Sequence, residues 1–243
     1  MQSTIIWTMK DIHCWHTKYE PCYYSDRLLG KLSELNNSTS EQVDITEVKK
    51  AIFYAKKYHG NQRRKSGEPY YSHPLEVAYM AADYLFKTDV IVASILHDTV
   101  EDTDLTAGMI LDIFGRRIQV MVDRLTRDRP DGSKLSIEEI LNNAYQYGDT
   151  EVIIIKLIDR LHNIYTLDSI SADKQHKTLS ETLDNFIIPA IYYECNNIEK
   201  QILQIYCNYK AINFNLLCFQ DSTFNIDTPV VLSQVYRNAK SPM

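Results

Sequence analysis

The stretch Thr150-Glu151-Val152-Ile153-Ile154-Ile155-Lys156-Leu157-Ile158-Asp159-Arg160-Leu161-His162-Asn163-Ile164-Tyr165-Thr166-Leu167 decides the fold class. Its first apolar run, Val152 to Ile155, is β-branched and reads as a strand when taken alone. The apolar pattern continues through Leu157, Ile158, Leu161 and Ile164, which is too long for a typical strand. The segment is therefore expected to be a helix from Thr150 to about Leu167. Glycine points the same way, because only 7 of the 243 residues are glycine. Tight hairpin turns draw on glycine, so a many-stranded β fold is disfavoured. The expected class is all-α, a bundle of about eight to ten helices.

Working outward, the same periodicity marks further helices. Ile45, Val48, Ile52, Ala55 and His59 recur at spacings of three and four, with Asp44 as N-cap. A basic loop from Gly60 to Ser72 follows. Pro74 suits the first position of a helix to Leu85, with Val77, Ala78, Ala81 and Leu85 as its buried stripe. Thr88 opens a helix through Asp102, and Thr106 caps a short one ending at Gly115. Ile118, Met121, Val122 and Leu125 mark the next, closed by Pro130-Asp131-Gly132. Ser136 and Glu139 form a capping-box pair for a helix ending at Gly148. Helices from about Asp173 to Cys195 and Asn197 to Tyr209 complete the set. Residues 1–44 read as an N-terminal extension with a short helix over Ser25 to Leu35. Residues 45–195 read as the main domain, and 196–243 as a C-terminal helix and tail.

Composition bounds the function. Hydrophobic residues at 44% and charged residues at 24% are ordinary for a soluble globular chain. A net charge of −6 argues against a non-specific nucleic-acid binder. Five scattered cysteines without a CxxC pair exclude a zinc ribbon and point to a reduced, cytoplasmic protein. No apolar run approaches the roughly 18 residues of a membrane span. His13, Cys14, His16 and Cys22 have ligand chemistry but match no zinc spacing. Tyr192, Tyr193, Tyr206 and Tyr209 read as helix-packing aromatics. Nucleotide-loop, zincin and serine-hydrolase motifs are absent.

Three constellations carry chemistry. The first is Ser94-Ile95-Leu96-His97-Asp98-Thr99-Val100-Glu101-Asp102. On a continuous helix, His97, Asp98, Glu101 and Asp102 span an arc of about 140°. Ile91, Val92, Ala93, Ile95, Leu96 and Val100 make that helix apolar nearly all round, hence buried. Three carboxylates in such a place repel one another, and a divalent cation relieves the cost. The plain alternative, solvated acids at a helix end, sits badly with the helix dipole. The second is Asp159, Asn163 and Thr166, at i, i+4 and i+7 on one helical face, flanked by Arg160 and His162. Alone it reads equally well as a structural ion pair. The third is Arg63-Arg64-Lys65-Ser66-Gly67-Glu68-Pro69-Tyr70-Tyr71-Ser72-His73-Pro74. Three successive cations in an acidic chain suit a phosphate-rich ligand, although a solvated basic loop has the same composition.

Combined, the constellations describe a metal-dependent phosphohydrolase. His73, His97, Asp98 and Asp159 make a mixed nitrogen and oxygen donor set that suits Mn²⁺, Mg²⁺ or iron. Such an ion lowers the pKa of water and polarises a phosphoryl oxygen. Glu101 and Asp102 are placed to orient the water and move protons.

These residues resemble the HD phosphohydrolase superfamily. The longer strings HGNQRRKSGEPYYSHPLEVA (59–78), ILHDTVEDT (95–103) and KLIDRLHNIYTL (156–167) are similar to the hydrolase domain of RelA/SpoT proteins. The resemblance covers roughly Asp26 to Cys195. It implies an all-α domain that uses Mn²⁺ to hydrolyse the guanosine alarmones ppGpp and pppGpp of the stringent response, releasing the 3′-pyrophosphate. It implies metal ligation by His73, His97, Asp98 and Asp159, and catalysis by Glu101 and Asp102. It places Arg64, Lys65, Asn163 and Thr166 against the nucleotide and its phosphates. Asn61 departs from a usual glycine, and Asn tolerates a left-handed turn. Tyr165 departs from a usual arginine. The long members continue into a synthetase domain, so the resemblance implies a hydrolase-only small member or a truncated remnant. Two rivals remain: a phosphatase for another phosphorylated nucleotide such as NADPH, and an idle domain that binds alarmone without turnover.

Overall fold

The computed structural model describes residues 14–129 and 131–220. The expectations for His13, for residues 1–13 generally and for the tail beyond residue 220 lie outside the described residues. Helices α1 (Tyr23–Ser38), α2 (Ile45–His59), α3 (Ser72–Ala81) and α4 (Thr88–Leu96) come first. Then follow α5 (Thr99–Asp102), α6 (Ala107–Phe114), α7 (Arg116–Leu125) and α8 (Ile137–Gln146). The last are α9 (Thr150–Tyr165), α10 (Ala172–Tyr192) and α11 (Asn196–Gln220). Among the described residues no strand forms, and only two isolated bridges occur, Arg63 with Pro69 and Asp128 with Lys134. The all-α expectation holds.

Local chemistry sets the helix ends. Asp44 Oδ1 accepts from the backbone N–H groups of Thr46 and Glu47 at the start of α2. Thr106 Oγ1 accepts from Met109 N at the start of α6. Ser136 and Glu139 form the reciprocal capping box at α8. Helix α9 is apolar along most of its length, with Val152 to Ile158, Leu161 and Ile164 all buried. It packs against α3, α10 and α11, while α4 lies against α2, α3 and α7. The site sits where α3, α4 and α9 converge.

Several boundaries differ from the periodicity. Helix α1 is longer than Ser25–Leu35, and its Leu28 and Leu32 are completely buried in the same core as α3 and α4. Helix α3 begins at Ser72, so Pro74 is its third residue and not its first. The first-turn N–H groups have no intrahelical partner, so proline costs nothing there. It also ends at Ala81, short of Leu85. Helix α9 closes at Tyr165 into a 3₁₀ turn over Leu167–Ser169. Helix α11 runs on past Tyr209. Tyr192 is 64% exposed, where packing was expected. The left-handed turn before the basic loop belongs to Gly60 (φ +49°) and not to Asn61.

The largest correction concerns Thr88 to Asp102, which is not one helix. The chain loosens at His97-Asp98, where Asp98 has ψ −9°, and re-forms as α5. Side chains take the carbonyls that the ladder would use. His97 Nδ1 lies 2.7 Å from Ser94 O, and Thr99 Oγ1 donates to Leu96 O at 2.6 Å. The break turns Glu101 and Asp102 away from the direction a continuous helix would give them.

Candidate active site

His73 stands in the first turn of α3, His97-Asp98 at the break after α4, and Asp159 midway along α9. His73, His97 and Asp159 offer ligand atoms that all lie within 4.8 Å of one another, a His/Asp group that can hold a metal ion. His73 Nε2 is 3.1 Å from Asp159 Oδ1, and His97 Nε2 is 3.7 Å from the same oxygen. Asp98 borders the group, with Oδ1 3.0 Å from His97 Nε2 and Oδ2 3.4 Å from His73 Nε2. Among the described residues, Cys14, His16 and Cys22 form no such group.

The donor set suits a divalent ion. A carbonyl can only accept, so His97 Nδ1 carries the proton it gives to Ser94 O. That leaves Nε2 facing the carboxylates. It is buried and has no well-aligned hydrogen bond, despite its 3.0 Å approach to Asp98. A buried imidazole nitrogen among carboxylates, without a well-aligned partner, fits a divalent ion. Without metal, a proton takes that place. Burial opposes the charge on His97, but Asp98 and Asp159 outweigh it and lift the imidazole to about 10. Asp98 is held below the usual carboxylate range: burial pushes it up, and His97 and then His73 more than reverse this. Asp159 lies well below that range, burial being outweighed by Lys156, His73 and His97.

One cleft of about 620 Å³ gathers the remaining residues. His73, Asp98, Glu101, Asp102, Arg64, Lys65, Asp159, Asn163 and Thr166 all line it, and His97 sits behind them, 1% exposed. Arg64 reaches across from the basic loop and donates to Asn163 Oδ1 and Thr166 Oγ1, each at 3.4 Å. Asn163 Nδ2 in turn donates to Asp159 Oδ1 at 2.8 Å. Six cations line the cleft (Arg63, Arg64, Lys65, Arg127, Lys156 and Arg160) against four acids. The local balance therefore favours a polyanion, against the sign of the whole chain. Tyr165 does not line it; its hydroxyl donates to Gln201 Oε1.

Glu101 and Asp102 diverge. Glu101 Oε1 accepts from the backbone N–H of Arg127, and burial raises its carboxyl although that N–H opposes the rise. Asp102 Oδ2 accepts from the Tyr70 hydroxyl at 2.6 Å. Tyr70 is stacked on His59 with ring centres 4.7 Å apart, and burial beside Asp98 and Asp102 raises its phenol. Gln62 braces this corner, with Oε1 2.8 Å from His59 Nδ1 and Nε2 donating to Asp102 O.

Sequence reasoning assigned no role here to Tyr70, Lys156 or His162. Lys156 is buried, with Nζ 3.6 Å from Asp159 Oδ2. His162 Nδ1 lies 2.8 Å from His73 Nδ1. Burial, then His73 and Arg64, press His162 down to about 3. The available signal was spacing: Lys156, Asp159 and His162 fall at i, i+3 and i+6 on one side of α9.

The fold and this group define the class. The HD domain family model matches residues 51–187, and the chain belongs to the HD domain family. Its sequence relatives are more particular. It is 39% identical over 143 residues to the guanosine-3′,5′-bis(diphosphate) 3′-pyrophosphohydrolase of Aquifex aeolicus, covering 57% of this chain and 20% of the relative. A GTP pyrophosphokinase of Myxococcus xanthus is 38% identical over 149 residues, covering 58% of this chain and 20% of the relative. A probable guanosine-3′,5′-bis(diphosphate) 3′-pyrophosphohydrolase of Synechocystis sp. is 38% identical over 142 residues, or 56% and 19%. The chain thus spans about a fifth of the length of the curated relatives it matches. A solved structure described as a metazoan ortholog of SpoT that hydrolyzes ppGpp shares the fold. Its TM-score is 0.54 at 22% identity, covering 69% of this chain and 98% of that one. Among the described residues no helix is long and apolar enough to cross a membrane.

Proposed function

We propose that the chain hydrolyses the guanosine alarmones ppGpp and pppGpp at the 3′ position, giving GDP or GTP and pyrophosphate. Water adds to the phosphorus bonded to the ribose 3′ oxygen, that P–O bond breaks, and the 3′ oxygen leaves with a proton. One observation carries the reading. The His/Asp group shares a cation-rich cleft with the Arg64–Asn163–Thr166 contact. The names of the Aquifex and Synechocystis relatives support the substrate.

In this reading His73, His97, Asp98 and Asp159 hold Mn²⁺. When bound, the ion supplies Lewis acidity and acidifies water. Glu101 takes and returns the proton; burial has raised its carboxyl toward the working pH. Asp102, fixed by Tyr70, orients the water. Arg64 and Lys65 bind phosphate oxygens, and Asn163 and Thr166 position the nucleoside. Arg64 leaves two long contacts when substrate arrives, so its release costs little. The location in this reading is the cytoplasm, with neither nucleic acid nor membrane as partner.

A substrate panel with Mn²⁺ tests the reading. Pyrophosphate released from ppGpp is expected. Phosphate released from NADPH while ppGpp stays intact would give the site to another nucleotide.

A further inference from the structure

We infer that His162 is a positioning residue that holds His73 in the tautomer able to present Nε2 to the metal. The inference rests on the metal-centre reading proposed above. Helix α9 touches the His73 ring on two sides. Asp159 Oδ1 lies 3.1 Å from Nε2, and His162 Nδ1 lies 2.8 Å from Nδ1. The two rings are tilted by 48°, with centres 4.8 Å apart. Asp159 and His162 are three residues apart, so one turn of helix supplies both contacts.

The 2.8 Å distance between two ring nitrogens requires one proton between them. A metal ligand must offer an unprotonated Nε2, so the neutral His73 ring carries its proton on Nδ1. His162 Nδ1 is then the acceptor. His97 solves the same problem differently, with Nδ1 on the carbonyl of Ser94. Both histidines of the centre therefore have their outer nitrogen tied down, one by backbone and one by a second histidine. For His73 the carbonyl three residues back, that of Tyr70, accepts from the backbone N–H of His73, and the ring nitrogen faces His162 instead.

The test is metal titration of the full chain with Mn²⁺ alone, without nucleotide, read by calorimetry. His162→Asn keeps an acceptor oxygen where Nδ1 stood, and His162→Leu removes it. Loss of a partner to a ligating histidine weakens metal binding by roughly 10- to 100-fold. That loss is expected for His162→Leu, with most affinity kept in His162→Asn. Equal affinity in His162→Leu and wild type overturns the inference while leaving the metal centre standing. Equal loss in both variants also overturns it, because the acceptor would not be what matters. Wild type that binds no Mn²⁺ sinks the metal-centre reading, and the inference with it. Nitrogen-15 shifts of the Zn²⁺-loaded wild type give a readout that needs no variant. An unprotonated His162 Nδ1 supports the inference and a protonated one overturns it.

Discussion

Replacing Asp159 by asparagine keeps the shape of the side chain and removes its charge. Four groups feel the loss. Oδ1 faces His73 Nε2 at 3.1 Å, His97 Nε2 at 3.7 Å and Asn163 Nδ2 at 2.8 Å, and Oδ2 faces Lys156 Nζ at 3.6 Å. Without metal, the change strands the buried Lys156 but relieves repulsion between Asp159 and Asp98. Breaking a fully buried pair costs about 3–5 kcal/mol. Asp159 opens on the cleft with 15% of its side chain exposed, and the relief of Asp98 offsets part of the loss. We expect the metal-free variant to be destabilised by about 1–3 kcal/mol. The larger effect is on the ion. Metal at one hundred times its Kd stabilises the native state by about 2.7 kcal/mol. For a chain of this size that raises Tm by about 5–11 °C. Thermal scans with and without Mn²⁺ should show this rise in wild type and none in Asp159→Asn. Turnover should vanish with it. A variant that keeps the full metal-induced rise refutes the placement of Asp159 in the centre.

The pH dependence has a definite sign. His97 is raised from 6.5 to about 10, so its charged form stabilises the metal-free fold fully below pH 6.5 and stops doing so as pH rises through about 10. Metal needs the unprotonated ring, so Mn²⁺ affinity should rise over that window. Calorimetry in buffers of different ionisation enthalpy should find proton release on Mn²⁺ binding at pH 7, and none would contradict the assignment. Glu101→Gln should lower kcat by roughly 10²- to 10⁴-fold while Mn²⁺ affinity in calorimetry stays within error. Leu32→Ala should cost about 2–5 kcal/mol in denaturant unfolding, because Leu32 is completely buried; a cost near zero would detach α1 from the core.

Much of the fold was legible because burial leaves a periodic trace. Helix α9 declared itself through Leu157, Leu161 and Ile164, which outweighed four β-branched residues at its start. Caps at Asp44, Thr106 and Ser136 were legible because their side chains bond to groups two or three residues away. The break at His97-Asp98 was not, because side chains capturing the carbonyls of Ser94 and Leu96 leave no mark on the hydrophobic pattern. The length of α1 escaped for a similar reason, since its ends are held by polar contacts that leave no periodic trace: Cys22 N–H donates to Ser25 Oγ, and the Asn36 side chain pairs with the backbone of Val43. In the site, the residues with unusual chemistry for their surroundings stood out: His97, Asp98 and Asp159 amid apolar neighbours. Tyr70 and His162 did not, because each matters through a partner far away in sequence, and Lys156 did not, because a cation three residues from a carboxylate reads as an ordinary helix-surface pair until its burial is seen. Tyr70 meets Asp102, and His162 meets His73 across 89 positions.

The most direct test of the central claim starts with the purified chain, stripped by a chelator and given ppGpp labelled in its 3′-diphosphate. No turnover is expected until Mn²⁺ is restored, and then labelled pyrophosphate and unlabelled GDP in equal amounts. Tight binding of ppGpp with Mn²⁺ present and no product would contradict it, and would make this cleft a sensor of the alarmone.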